Sequence, residues 1–355
     1  MVFSILTSIS FELLKVSKGY ITIQHYKEDK YYHSKILIIS LHFLSLERFV
    51  YMIEYYDFIT VDEMFEFFSP WRNNSGLEGF IFRGHSQDSY ELVPSALRLH
   101  NVDWFWKICG LGRPIEPQHN WQRWQIRAEY SILRDFYRLA DQKGLDVPVC
   151  ERIRLNLAQD FDLFDLHNPY HSDIWLPKDM EETAGLAQHY GIPTRLLDWT
   201  YDVFVALYFA FTGAIEKEGK LEVWALNKEY ISYLKPTVNR INIDFITPHY
   251  SNNPNLNAQR GLFTHWPTKM PALIEEMQLF HNNVVPLVDR RPLNVLVAES
   301  YQNKDNIPLF KRFTLPCSQA KKGCIILSKL GYDAARIFPG YNGVAAHLLN
   351  RHKQY

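Results

Sequence analysis

The sequence lacks the signals that would place it in several large classes of protein. Its 355 residues carry a formal net charge of −1, so no overall positive field attracts nucleic acid or a membrane surface. The four cysteines form no Cys-x-x-Cys pair and are typical of reduced, cytosolic thiols. The N-terminus has neither a basic leader segment nor a small-residue cleavage site. From these absences we expect a soluble, cytoplasmic protein.

Long apolar runs and familiar nucleotide motifs are also missing. The most hydrophobic early run, residues 36–46, is too short to span a bilayer and is interrupted by His42. No Walker A, Gly-x-Gly-x-x-Gly or Gly-x-Ser-x-Gly pattern occurs, which disfavours P-loop hydrolysis, a Rossmann site and an α/β-hydrolase. His167 and His171 have the spacing of helical metal ligands, but Pro169 between them spoils that geometry. We therefore expect no metal site.

The most informative stretch of the chain ends in a helix without a polar face. Nine consecutive residues, 203–211, are apolar or aromatic, which is typical of a helix buried in a large core. Thr200 suits the N-cap of this helix, and Asp202 suits its first turn. The positive end of the helix would then point at a crevice beside Asp198, Thr200 and Arg195. Such a crevice suits an anionic ligand.

Hydrophobic periodicity divides the remaining chain into short strands and longer helices. Residues 79–86 predict a core strand that ends at a polar edge, where Arg83 lies. Apolar residues recur at intervals of three and four between residues 119 and 144 and predict a helix. A polar, Asn-rich loop at 251–257 leads to Gln259.

Several separated motifs occur in an order that is typical of one family. They are Phe82-Arg83-Gly84, Leu92-Val93-Pro94-Ser95, the block from Gln188 to Thr200, Ala206 to Ala210, Asn257 to Phe263, and Ile337-Phe338-Pro339-Gly340. This set resembles the FRG-domain family, which is named for its Phe-Arg-Gly motif. On this resemblance we assign residues 56–355 to an FRG domain with a helical insertion at about 119–190. Residues 1–55 are assigned to an N-terminal extension without a chemical motif.

A second resemblance, to arginine-type ADP-ribosyltransferases, supplies a chemistry. Arg83 with Gly84 looks like the first motif of those enzymes, an aromatic-Arg-Gly strand that holds NAD. The strand that leads to Thr200, with the helix after it, looks like the second motif. Gln259 stands where the third motif has a glutamate. The resemblance implies an α+β fold with a small, mixed, split β-sheet wrapped by helices.

The same resemblance implies the roles of individual residues, with NAD as the substrate. Catalytic roles fall on Arg83, Thr200 and Gln259. Contacts with NAD fall on Arg83, Gly84, His85, His189, Tyr190, Arg195, Asp198 and Thr200. The glutamine departs from the pattern, because a glutamate stabilises developing positive charge whereas an amide supplies only neutral hydrogen bonds.

Most of these residues also have a purely structural interpretation, and the sequence leaves both open. Arg83 either holds an NAD phosphate or ribose through its forked donors or pairs with a carboxylate such as Asp198. Gly84 lets a ligand approach the backbone. Asp198 and Thr200 contact a ribose, or they satisfy the free N–H groups at the helix start. Arg195 is a candidate partner for Asp198.

The roles of four further residues are open in the same way. His189 is either a contact for a base or nicotinamide, or a structural histidine at a helix end. Tyr190 is expected in the core rather than as a platform for a ring. Gln259 and Arg260 either contact the ribose and the target, or they are a bracing amide and a surface arginine.

The resemblances together predict an NAD-dependent ADP-ribosyltransferase or NAD glycohydrolase of bacterial toxin or phage-defence type. Its partners would be NAD and a macromolecular acceptor, protein or nucleic acid, with no membrane partner. The alternative is a non-catalytic nucleotide-sensing or interaction module that keeps the pocket. A metal-dependent nuclease using Asp198 and Glu222 is a third interpretation, but Trp224 stands where such sites carry a lysine.

Overall fold

The computed structural model describes most of the chain, with gaps. The described residues are 14–17, 20–24, 36–40, 52–69, 76–115, 118–155, 172–237, 241–251, 253–301 and 307–350. Most of the predicted extension, residues 1–55, lies outside them. So do His167 and His171.

Twelve strands occur among the described residues. They are β1 (Leu14–Ser17), β2 (Tyr20–Gln24), β3 (Ile36–Ser40), β4 (Ile53–Asp57), β5 (Phe80–His85), β6 (Asp173–Trp175), β7 (Leu197–Thr200), β8 (Lys220–Asn227), β9 (Asp244–Ile246), β10 (Gly261–His265), β11 (Thr268–Met270) and β12 (Phe310–Pro316). Strands β1 to β3 form an antiparallel sheet, and β6 pairs with β11.

The central sheet has seven strands in the order β4-β12-β8-β5-β7-β10-β9. It is mixed, because β4 and β12 are parallel while the other neighbours are antiparallel. Strands β5 and β7 share one residue pair, Phe82 with Thr200, so the sheet is nearly split there. The predicted α+β class with a mixed sheet is confirmed.

Thirteen helices surround the sheets in the described part of the chain. They are α1 (Val61–Phe67), α2 (Val102–Ile108), α3 (Gln122–Gln142), α4 (Glu151–Leu155), α5 (Glu181–His189), α6 (Val203–Ala214), α7 (Lys228–Leu234), α8 (Pro254–Ala258), α9 (Leu273–His281), α10 (Leu293–Ser300), α11 (Ala320–Lys329), α12 (Ala334–Ile337) and α13 (Tyr341–Leu349). Among these residues no helix has both the length and the apolar character that crossing a membrane requires.

Helix α6 is the buried helix that the apolar run predicts, but its cap differs from the prediction. Asp202, not Thr200, is the N-cap, and its carboxylate accepts a hydrogen bond from the backbone N–H of Phe204 at 3.0 Å. The second carboxylate oxygen accepts the Tyr332 hydroxyl at 2.8 Å. Thr200 cannot cap the helix because it is the last residue of β7, paired there with Phe82 and Gly261.

Replacing Asp202 with alanine is expected to lower the free energy of unfolding by about 2 kcal/mol. The change removes the cap of a core helix and leaves the half-buried Tyr332 hydroxyl without its acceptor. Urea unfolding measures the loss. Asp202→Asn is the matched control, because asparagine caps about as well as aspartate. If the asparagine and alanine variants lost equal stability, the cap would not be the source of the effect.

A buried ion pair joins helix α3 to the central sheet. Arg195 donates from Nε to both carboxylate oxygens of Glu129, at 2.9 and 2.8 Å, and from Nη1 to the Thr268 hydroxyl at 2.9 Å. Trp175 also donates to Glu129 from its indole nitrogen, at 2.5 Å. Because both charged side chains are buried, each offsets the cost of removing the other from water.

His265 makes the fold sensitive to acid. Burial, reinforced by the positive charge of Arg195, lowers its pKa to about 3 from an ordinary value of 6.5. The ring is therefore neutral in the folded protein, where Nε2 accepts the backbone N–H of Leu176 at 3.1 Å. The unfolded chain binds a proton below pH 6.5 that the folded chain does not, so stability falls as the pH decreases through this window.

The expected contribution of His265 is a loss of about 2–3 kcal/mol between pH 7 and pH 4.5, at about 1.4 kcal/mol per pH unit below 6.5. Unfolding curves in urea at a series of pH values measure it. In His265→Gln the acid slope should become shallower by close to one bound proton, even if the variant is less stable at pH 7. Equal slopes in the two proteins would contradict this assignment.

Candidate functional site

Three segments that are distant in the sequence meet where the sheet is nearly split. Arg83 from β5, Thr200 from β7 and Gln259, which precedes β10, line one cleft of about 400 Å³. Asp198 and the end of α5 line the same cleft. The strands that carry these residues are neighbours, in the order β5-β7-β10. The structure therefore brings together all three residues to which the sequence assigns catalysis.

The guanidinium of Arg83 spans the gap between β5 and β7. Its Nη1 donates to the main-chain carbonyl of Asp198 at 2.8 Å and reaches the carboxylate Oδ2 at 3.3 Å. Its Nε donates to Nε2 of His85 at 2.9 Å. Among the described residues, Nη2 of Arg83 has no hydrogen-bond partner. The pairing with Asp198 thus leaves one donor of Arg83 for a ligand.

His85 orients Arg83 from the side of the sheet. Its Nε2 accepts from Arg83, so the proton of the neutral ring lies on Nδ1 and points at Oε1 of Glu222, 2.8 Å away. Burial lowers the pKa of His85, and the hydrogen bond to Glu222 offsets this only in part. His85 does not line the first cleft, so the expected NAD contact from this residue is replaced there by a positioning contact to Arg83.

Glu222 belongs to the same buried network and not to a metal pair. The side chain is fully buried, and His85, Trp224 and Arg312 all bond to its carboxylate. It therefore has no free oxygen for a metal ion shared with Asp198. In the part of the chain that the structure describes, no group of three or more His, Cys, Asp or Glu residues could hold a metal.

Gly84 is needed for packing between β5 and α6. A Cβ atom at this position would lie 1.9 Å from the carbonyl oxygen of Ala206 and 3.0 Å from the backbone nitrogen of Ala210. The backbone of α6 thus occupies the space that the sequence assigns to a ligand. On that side of the strand α6 leaves no room for a ligand, although Gly84 also lines the cleft.

Asp198 presents the carboxylate of the first cleft. It is the one acidic residue among the described residues lining this cleft, and its side chain is 59% exposed. Gln188 donates to its Oδ1, and the Thr194 hydroxyl donates in turn to the Gln188 carbonyl oxygen. Arg83 and Gln188 therefore hold the carboxylate from two sides while leaving it accessible.

Thr200 and Gln259 line the cleft, but their side chains also form hydrogen bonds with main-chain groups of the protein. The Thr200 hydroxyl donates to the main-chain carbonyl of Gln259 at 2.6 Å and accepts the N–H of Asp202 at 3.0 Å. The side-chain amide of Gln259 donates to the carbonyl of Ile337 at 3.3 Å. Its Oε1 has no partner among the described residues, so this atom is available to accept a hydrogen bond from a ligand.

A scan against family models identifies part of this architecture. Residues 78–219 match the model of the FRG domain. The chain contains an FRG domain. The match includes Arg83, Asp198 and Thr200, whereas Gln259 and Phe338 lie beyond it. Neither the search of curated proteins nor the search of solved structures gave a match.

Of two further expected contacts, His189 and Tyr190, only the first lines the cleft. His189 lines the first cleft, and its Nε2 accepts Nδ2 of Asn255 at 2.9 Å. Burial lowers the pKa of His189, against the opposing charge of Asp198. Tyr190 is 68% exposed, so its expected place in the core is wrong, and it does not line the cleft. Asn255 lies in α8, so part of the predicted Asn-rich loop is a short helix.

Arg195 and the helix start also differ from the prediction. Arg195 is buried against Glu129 and lines neither of the clefts that contain Arg83, so its expected pairing with Asp198 is wrong. The N-terminus of α6 is capped by its own chain, because the Asp202 carboxylate accepts the N–H of Phe204. Arg195 is thus paired by a distant segment, whereas the helix start is capped by the residue that precedes it.

Sequence reasoning gave no site role to two aromatic residues of the first cleft. Phe209, on α6, is 37% exposed and meets Phe338 edge to face, with 6.1 Å between ring centroids. They give the first cleft an apolar wall. A single exposed phenylalanine in an otherwise buried run cannot be recognised from composition, because its exposure depends on how α6 packs.

A second cleft, of about 640 Å³, adjoins the first. Both are lined by Arg83, Gly84 and Phe209, so the side chains of Arg83 and Phe209 lie between them. His85 lines the second cleft together with Arg98 and Arg290, neither of which the sequence singled out. The candidate site therefore has two compartments that share Arg83.

Proposed function

We propose that the protein is an NAD-dependent ADP-ribosyltransferase or NAD glycohydrolase. The observation that carries this proposal is the convergence of Arg83, Thr200 and Gln259 on one cleft, from neighbouring strands β5, β7 and β10. The resemblance to arginine-type ADP-ribosyltransferases requires that arrangement. The near split of the sheet between β5 and β7 agrees with the same resemblance.

In this proposal the groups of the first cleft bind the nicotinamide half of NAD. The apolar wall of Phe209 and Phe338 packs against the nicotinamide ring. The free Nη2 of Arg83 donates to an oxygen of NAD, and Oε1 of Gln259 accepts a ribose hydroxyl. Each of these atoms lines the cleft and lacks a full set of protein partners.

The reaction breaks the bond between the nicotinamide nitrogen and C1′ of the ribose. The bonding electrons leave with nicotinamide, which becomes neutral, and positive charge develops on the ribose. Water or an acceptor nucleophile then bonds to C1′ and releases a proton. Asp198 stabilises the developing charge, since it is the acidic group that the cleft offers in the described residues. It thus supplies the charge that Gln259 lacks.

Nicotinamide release from NAD by the purified full chain tests the proposal. We expect release with the native protein and its loss in Arg83→Ala. Arg138→Ala is the matched control, since Arg138 is a partly exposed arginine of α3 that pairs with Asp135 away from both clefts. Absence of both NAD binding and release in the native protein would refute the proposal.

One observation favours a second candidate, a non-catalytic nucleotide-sensing or interaction module. The Thr200 hydroxyl and the Gln259 amide both brace main-chain carbonyls, as expected of residues kept for shape. NAD binding by calorimetry without nicotinamide release, with and without cell extract, would favour this candidate.

The biological setting of the proposed enzyme, bacterial toxins or phage defence, rests on the family resemblance alone. So does its acceptor, a protein or a nucleic acid.

A further inference from the structure

The second cleft collects positive charge in a protein whose charges otherwise nearly cancel. Three arginines line it, Arg83, Arg98 and Arg290, against one acidic residue, Glu91. Beside it, Lys217 donates to the Ser86 hydroxyl at 2.9 Å. The cavity is about 640 Å³, which is enough for part of a nucleotide. The charge is therefore concentrated around one concave space.

Arg98 is held in place by a main-chain carbonyl, and its two terminal nitrogens remain without a partner among the described residues. Its Nε donates to the carbonyl of Val93 at 2.9 Å. Within the described residues its two terminal nitrogens have no hydrogen-bond partner, and no carboxylate forms an ion pair with it. Burial, followed by the positive charge of Arg83, lowers the pKa of Arg98. The two guanidinium groups thus repel each other, and the carboxylate of Asp198, which pairs with Arg83, offsets this repulsion only in part.

Arg290 is fixed in a similar way from the other side. Its Nη1 donates to the carbonyl of Leu97 at 3.0 Å and its Nη2 to Oε1 of Gln125 at 3.4 Å. Its Nε is buried without a hydrogen-bond partner. As with Arg98, no ion pair to a carboxylate forms among the described residues. These bonds orient the guanidinium but do not neutralise its charge.

We infer that the second cleft binds the diphosphate group of a nucleotide through Arg83, Arg98 and Arg290. Guanidinium forks match phosphate oxygens, and a diphosphate carries enough negative charge to relieve the repulsion between the arginines. The two clefts adjoin at Arg83 and Phe209, and in this inference one dinucleotide spans both. The identity of that dinucleotide as NAD rests on the proposed function, whereas diphosphate binding does not.

Calorimetry of the full chain with inorganic pyrophosphate and with ADP-ribose tests the inference. Both ligands should bind, and Arg98→Gln should weaken each by at least about tenfold, since one charge-assisted hydrogen bond is lost. Arg98→Lys should fall between, because it keeps the charge and loses the fork. The control is Arg291→Gln, an adjacent arginine paired with Asp289 and Glu299, which should bind within about twofold of the native protein.

Arg290→Gln provides a second variant at an independent position, and circular dichroism verifies that each variant is folded. In kinetic assays, Arg98→Gln should raise KM for NAD at least about tenfold, whereas the control Arg291→Gln should leave KM within about twofold of the native value. Unaltered pyrophosphate affinity in both glutamine variants would overturn the inference. So would tighter binding of a single-stranded oligonucleotide than of pyrophosphate.

The two proposals fail in distinguishable ways. Pyrophosphate binding that depends on Arg98, without nicotinamide release, supports the diphosphate site and removes the enzymatic function. Nicotinamide release by the native protein, with pyrophosphate affinity and KM for NAD unaffected by Arg98→Gln, supports the function and removes the diphosphate site.

Discussion

Replacing Asp198 with asparagine is expected to slow nicotinamide release by a factor of about 10²–10³ while NAD affinity changes by less than about tenfold. The loss corresponds to removal of one charged group that faces the developing positive charge. Ground-state NAD carries less charge at the ribose than the transition state does, so binding is affected less. Single-turnover release and calorimetry of the same preparation measure the two quantities separately.

The structure explains why asparagine is the informative replacement. It has nearly the shape of aspartate, and its carbonyl oxygen can still accept from Gln188. The main-chain carbonyl of residue 198 still accepts Nη1 of Arg83, so that anchor survives the change. Asp135→Asn removes an equivalent carboxylate from an exposed pair on α3 and serves as the control for net charge.

Two outcomes would count against the role of Asp198. Full activity in Asp198→Asn would show that the charge is not used in the reaction. An equal loss of NAD binding and turnover would show that Asp198 only positions Arg83. In the second case Arg83→Lys should reproduce the defect, because lysine lacks the fork that spans β5 and β7.

The sequence anticipates those parts of the site that depend on local pattern. The strand with Arg83 at its polar end, the helix at 119–144 and the buried helix after Thr200 follow from periodicity, and the structure contains β5, α3 and α6 there. The meeting of Arg83, Thr200 and Gln259 followed from motif order rather than from physics. It is observed because their strands are neighbours in the sheet.

The sequence could not predict interactions that depend on segments distant in the chain. Arg195 lies close to Asp198 in the chain, yet its charge is met by Glu129 from α3. Capping preferences suit Thr200 and Asp202 equally well, and only the pairing of Thr200 within the sheet decides between them. Arg98 carries no motif, because its significance lies in the cavity it shares with Arg83.

Gly84 gives the largest expected effect on stability. Gly84→Ala should lower the free energy of unfolding by about 3 kcal/mol or more, because the added methyl group would overlap the carbonyl oxygen of Ala206 at 1.9 Å. The backbone of Gly84 is not left-handed, so alanine adds no conformational strain of its own. The effect is therefore purely one of packing between β5 and α6.

The clash is with main-chain atoms, which makes the prediction sharp. Ala206→Gly should not rescue Gly84→Ala, because the carbonyl of residue 206 stays where it is. Gly112→Ala is the matched control, since its Cβ would meet nothing within 4 Å, and it should change stability by less than about 0.5 kcal/mol.

Moving α6 away from β5 would also displace Phe209 from the wall between the clefts, so Gly84→Ala should lose NAD affinity together with stability. A Gly84→Ala protein as stable as the native one in urea would contradict the close packing on which both clefts depend.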